Sequence, residues 1–113
     1  SLDQALVATG FAYASEERAR QGAVVAQLLP SVRDIRRMGT ASLDLCFVAC
    51  GRVDAYYERT LSPWDHAAGA LVAREAGATV KGLGDAAPSR DFILAAEPDL
   101  AVRLERELVR LGV

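Results

Sequence analysis

The chain has a single histidine, only two cysteines and no excess of basic residues, and each shortage removes a class of function. A lone His66, with no serine or cysteine nucleophile paired to it in the sequence, argues against a catalytic triad. Cys46 and Cys50 lie four apart in one apolar segment, which makes no disulfide framework, and no second pair completes a zinc set. They are expected to be reduced core residues of a cytoplasmic protein. A net charge of −2 leaves no electrostatic footprint for nucleic acid or for an anionic membrane. No apolar run is long enough to span a bilayer, no signal-peptide pattern opens the chain, and neither a P-loop nor GxGxxG occurs. Without a basic patch beside them, Trp64, Tyr56 and Tyr57 are expected to pack rather than to form a stacking platform.

What is present is an ordinary globular composition. With 113 residues, 51% hydrophobic and 25% charged, the chain suits one domain with one real core and is not a disordered segment. It opens at Ser1 without an initiator methionine, and its first residues already read as a buried strand, so a piece of something longer is expected.

Periodicity alternates between strand and helix. Ala5–Gly10 reads as a strand, and Ser15 as the cap of a helix that begins with Glu16 and Glu17 and stops at Pro30. Val32–Met38 is a weak strand broken by Gly39. Thr40 then caps a helix over Ala41–Cys50, ended by Gly51. Val53–Glu58 has the β-branched and aromatic content of a strand. The run Trp64–Ala78 places Asp65 at the mouth of a helix whose first turn, Ala67-Ala68-Gly69-Ala70, is small enough for close packing, and Gly77 stops it. Thr79–Lys81 and Asp91–Ala96 are strands, and Pro98–Leu111 is a helix with Leu100, Leu104, Leu108 and Leu111 on one face.

This order predicts an α/β fold with a largely parallel or mixed sheet of about five strands and helices on both faces. Ligands in such folds sit at the carboxyl ends of strands. Three candidates fall there: Gly39-Thr40-Ala41, Glu58, and Asp65. Asp65 can be a metal ligand, a general base or a helix-capping acid, and capping is the commoner use of such a position. Glu58, seven residues earlier on the same edge, can share a cation or bind a polyol hydroxyl. The amides behind Thr40 can receive an anion or an oxygen-rich ligand.

The blocks Arg36-Arg37-Met38-Gly39-Thr40-Ala41-Ser42-Leu43-Asp44-Leu45-Cys46, Gly51-Arg52-Val53-Asp54-Ala55-Tyr56-Tyr57-Glu58 and Trp64-Asp65-His66-Ala67-Ala68-Gly69-Ala70-Leu71-Val72-Ala73, in that order, resemble the C-terminal half of the inositol monophosphatase family. Ala78 departs from it, since many members carry a second glycine there. The resemblance implies a magnesium-dependent, lithium-sensitive, often dimeric phosphomonoesterase in which two or three Mg²⁺ ions clamp the phosphate and activate water. Carried over by position, Asp65 would be a metal ligand, Glu58 would bind a substrate hydroxyl, and Gly39-Thr40-Ala41 would contact the alcohol portion. The family's Asp-Pro-Ile-Asp-Gly-Thr type loop and its upstream glutamate have no counterpart here. One Asp cannot hold a pair of magnesium ions. The chain is therefore expected to need an N-terminal half and to be inactive alone. Histidinol-phosphate, sugar-bisphosphate and phosphonucleotide phosphatases of the same superfamily, and a non-catalytic partner-binding module, remain as alternatives.

Overall fold

The central strands are short, mostly apolar runs whose alternate residues face opposite sides, so each can be covered on both faces. In the computed structural model, which describes residues 1–113, they form one five-stranded sheet in the order β2-β1-β3-β5-β4. The elements are β1 (Leu6–Thr9), α1 (Ser15–Leu28), β2 (Asp34–Arg36), α2 (Ala41–Ala49), β3 (Ala55–Glu58), α3 (Pro63–Glu75), β4 (Thr79–Lys81), β5 (Ile93–Ala96) and α4 (Pro98–Arg110). Two 3₁₀ turns, Leu2–Gln4 and Leu29–Ser31, complete the chain. No helix is long and apolar enough to cross a membrane.

The sheet is mixed, as expected from the alternating order. β1 pairs in parallel with β2 and with β3, whereas β5 runs antiparallel to both β3 and β4. Four of the five strands therefore point the same way, and β5 alone is reversed. The carboxyl ends of β1, β2 and β3 share one edge, and each leads into a helix.

Two apolar cores sandwich the sheet. On one face Val7, Ala55, Tyr57, Leu94 and Ala96 meet Val24 and Leu28 of α1 and Ala101, Leu104 and Leu108 of α4. On the other, Ala8, Tyr56, Ile93 and Ala95 meet Ala41 and Leu45 of α2 and Ala70 and Ala73 of α3. Each fully buried leucine contributes about 1.5–3 kcal/mol, so the leucine stripe of α4 accounts for that helix's docking. The small residues Ala67–Ala70, expected in the first turn, form the second turn of α3, which starts at Pro63, and they have the expected packing use. A Cβ on Gly69 would come within 2.9 Å of Leu45 Cβ and Cδ1, so only glycine lets α2 and α3 lie this close.

Several local expectations are corrected. Ser15 is the first helical residue and not the cap; Ala14 holds that position and no side chain bonds to the turn. The strands are shorter than predicted, with β2 reduced to Asp34–Arg36 because Arg33 and Arg37 offer nothing to bury. Cys46 and Cys50 are exposed and not core, because the buried face of α2 carries Ala41, Asp44 and Leu45 instead. Trp64 is 81% exposed: it sits in the first turn of α3, outside both cores. Tyr56 and Tyr57, by contrast, are buried on opposite faces of β3, as expected from strand alternation.

Candidate functional site

The three strand ends on the shared edge open onto a cleft of about 760 Å³. Gly10 follows β1, Gly39, Thr40 and Ala41 follow β2, Glu58 closes β3, and Asp65 comes from the first turn of α3; all of them line it. The three candidate positions at the strand ends, Gly39-Thr40-Ala41, Glu58 and Asp65, thus reach one cavity.

Gly39 is needed there for its backbone, and a side chain would in addition have to push aside the movable end of Arg37. The glycine φ of +94° belongs to the left-handed region, and a Cβ would meet Arg37 Nη1 at 2.9 Å. Thr40 occupies the N-cap position of α2, yet its hydroxyl makes no capping bond. The first-turn amides of Ala41 and Ser42 have no intrahelical acceptor, and the Thr40 side chain does not cap them. The capping role expected of the Thr40 side chain is thereby corrected, and the binding role is the one left open.

Asp65 is the third residue of α3, whose N-cap is Ser62. Its Oδ2 accepts a hydrogen bond from the Ser62 backbone N–H at 2.9 Å. The common, capping use of such an acid is therefore real, and it occupies one carboxylate oxygen and not both. His66, next along, is buried on the other side of the helix turn with Nε2 unpaired.

Glu58 is half-buried and accepts a hydrogen bond from the Tyr56 hydroxyl at 2.6 Å. Burial raises its pKa and the nearby Asp65 adds to that, while the Tyr56 hydrogen bond and Arg37 oppose it. Tyr56 itself is fully buried and pushed well above the ordinary tyrosine value by burial and by Glu58. It remains a hydrogen-bond donor throughout the accessible pH range.

One functional candidate went unread. Asp44, one turn into α2, is 1% exposed, lines the cleft, and has a buried Oδ1 with no partner. Burial, and then the negative charge of Glu58, push its carboxyl up to about 7, against the pull of Arg37. Its spacing carried the signal: Ala41, Asp44 and Leu45 lie at helical i, i+3, i+4 positions, so an acid there falls on the buried face. The loop between β3 and α3 adds a further oddity. Thr60 holds φ +70°, a conformation β-branched residues avoid, while its N–H donates to Arg90 carbonyl at 2.7 Å.

The acids do not make a complete cation site. No three His, Cys, Asp or Glu side chains converge closely enough to hold a metal ion. A hard ion such as Mg²⁺ takes several oxygens, and no such set is assembled here; the capping bond leaves the second oxygen of Asp65 unoccupied.

Comparison with known proteins identifies the family and the fold. Residues 1–111 match the model of the inositol monophosphatase family. The chain is 50% identical to an inositol-1-monophosphatase of Mycobacterium leprae, with 98% of this chain aligned to 39% of that protein's length. It is 46% identical over 80 residues to the Nus factor SuhB of Escherichia coli, which covers 70% of this chain and 30% of that protein. The solved structure of Mycobacterium tuberculosis SuhB superimposes with a TM-score of 0.88 at 46% identity, over 99% of this chain and 44% of that one. The chain thus spans well under half the length of these relatives.

Proposed function

The chain belongs to the inositol monophosphatase family, and on that premise we propose that it forms one wall of the active site of a magnesium-dependent phosphomonoesterase. The observation that carries this reading is the convergence of Asp65, Glu58 and the open first turn of α2 on a single cleft. Glu58, fixed by Tyr56, accepts a hydroxyl of the substrate alcohol. The amides of Ala41 and Ser42 and the backbone at Gly39 and Thr40 take a neighbouring oxygen through the positive end of the helix. Asp65 contributes one oxygen to a bound cation. The remaining ligands come from an N-terminal half that carries the family's acidic loop, together with the substrate's phosphate. When bound, such ions polarise the phosphoryl group and lower the pKa of the attacking water. Inositol monophosphate is the substrate this reading favours, with histidinol phosphate, sugar bisphosphates and phosphonucleotides as the related esters. Lithium sensitivity, homodimer formation and a cytoplasmic setting belong to the same proposal.

Two measurements test it. Asp65→Asn in the full-length protein is expected to raise the magnesium concentration needed for half-maximal hydrolysis of inositol 1-phosphate by about tenfold or more, in line with the loss of a charged ligand. An unchanged magnesium requirement would remove Asp65 from the metal site. The purified 113-residue chain alone is expected to hydrolyse none of these esters; turnover free of full-length contaminant would refute the split-site reading.

A second reading is a protein-binding role without catalysis. It draws on the relatives named as Nus factors and on the exposed side chains Tyr13, Trp64 and Leu71. A full-length protein with intact Asp65 and Glu58 that hydrolyses no phosphate ester in a substrate screen would favour it.

A further inference from the structure

Glu58 can select a ligand only if its carboxylate is held still, and two neighbours do so from different directions. On one side the Tyr56 hydroxyl donates to Oε1 at 2.6 Å, from a ring that is fully buried beneath the cleft. On the other lies Gly10, the first residue after β1. A Cβ built there would stand 2.6 Å from Glu58 Cδ and 2.7 Å from Oε2, and closer still to Oε1. All three of its nearest neighbours are atoms of that one carboxylate, so the group occupies the space a Gly10 side chain would need. Gly10 does not have the positive φ that would demand glycine for conformational reasons. What the position requires is the missing Cβ.

We propose that Gly10 and Tyr56 are positioning residues that seat the Glu58 carboxylate, and that this seat sets how tightly the hydroxyl-bearing part of the substrate is bound. This rests on the reading of Glu58 given above. The parallel pairing of β1 with β3 is what brings the two sides together, since it sets Thr9 against Tyr57 and so places Gly10 beside Glu58. Any side chain at Gly10 must displace the carboxylate, which is the movable end of the Glu58 side chain. Loss of the Tyr56 hydroxyl leaves the carboxylate in place but unpinned.

The test is a double-mutant cycle in the full-length protein, reading kcat and KM for inositol 1-phosphate at saturating magnesium. Gly10→Ala and Tyr56→Phe are each expected to raise KM by about tenfold, the size of one hydrogen bond to a charged group, with a smaller change in kcat. In an Glu58→Ala background both substitutions are expected to lose that effect, because each acts only through the carboxylate. If the effects persist undiminished in that background, the two residues act on folding or on the cleft at large, and the proposal is overturned. If Glu58→Ala raises KM while Gly10→Ala and Tyr56→Phe do not, the seat is wrong and the role of Glu58 stands. If Glu58→Ala leaves KM unchanged, the reading of Glu58 itself falls, and the seat falls with it. Tyr56→Phe keeps the buried ring, so it carries the test even if Gly10→Ala lowers the yield of folded protein.

Discussion

Replacing Asp44 by asparagine removes a titrating group from the centre of the candidate site while keeping its shape, and the consequence for stability can be worked out with its sign. The Asp44 carboxyl is pushed up to about 7 by burial and by Glu58 in the folded chain, against about 3.9 when unfolded. Below pH 4 both states hold the proton and the carboxyl carries no ionisation cost. As pH rises from 4 to 7 the unfolded chain releases its proton while the folded chain retains it, so folding loses stability steadily. Above pH 7 the loss is complete. A shift of about three units corresponds to about 4 kcal/mol at 1.36 kcal/mol per unit. Asparagine does not titrate, so Asp44→Asn is expected to gain on the wild type between pH 4 and 7 and to hold a constant advantage beyond. Glu58 titrates in both proteins, and its contribution cancels to first order in the difference. Urea unfolding of the 113-residue chain at pH 5, 6, 7 and 8 measures it, with an expected change of about 3 kcal/mol in the difference between pH 5 and 8. A difference that stays flat across that range would refute the assignment of Asp44 as a buried, proton-holding acid.

Other substitutions test the frame around the site. Gly69→Val drives a side chain into Leu45 and is expected to cost about 1–3 kcal/mol in urea unfolding, with Leu45→Ala recovering part of the loss in the double variant. Asp65→Ala removes the acceptor of the Ser62 N–H and is expected to lower stability by about 1 kcal/mol, read as a drop in Tm by circular dichroism. Thr60→Gly relieves a β-branched residue at φ +70° and is expected to raise Tm by the equivalent of about 1 kcal/mol.

The strands and helices that face both cores were legible because burial imposes a pattern on them. The leucine stripe of α4 is legible from spacing and the strand at Tyr56 and Tyr57 from composition, while the structure puts those two rings on opposite faces of β3. The convergence of Gly39, Glu58 and Asp65 on one cleft was legible for a related reason: strand ends that share a sheet edge come together. What spacing could not show is where the strand order reverses. β5 looks like any buried strand, and only its pairing partners make it antiparallel. Exposure was misread at Trp64 and Cys46 because hydrophobicity alone does not say which helix face meets the sheet. Asp44 was missed for the opposite reason. An acid in a helix is expected outside, and its place on the buried face of α2 appears only when it is set against Ala41 and Leu45.

Asp65 shows why a capping residue and a functional residue need not be alternatives. A carboxylate has two oxygens, and the bond from Ser62 occupies only Oδ2. That bond fixes the side chain in the first turn of α3, where the helix favours negative charge, and so presents the other oxygen in a defined direction. A cation ligand works best when its own orientation is already determined by a neighbour. The capping bond that makes Asp65 look ordinary is then the element that prepares it for the role proposed here. The two uses can be separated within one side chain. Asparagine keeps an oxygen able to accept from Ser62 but loses the charge, whereas alanine loses both. If Asp65 serves both purposes, Asp65→Asn keeps most of the folding stability that Asp65→Ala loses, while both variants weaken the response to magnesium in the full-length protein. Equal losses of stability in the two, with no change in magnesium response, would leave Asp65 as a helix cap and nothing else.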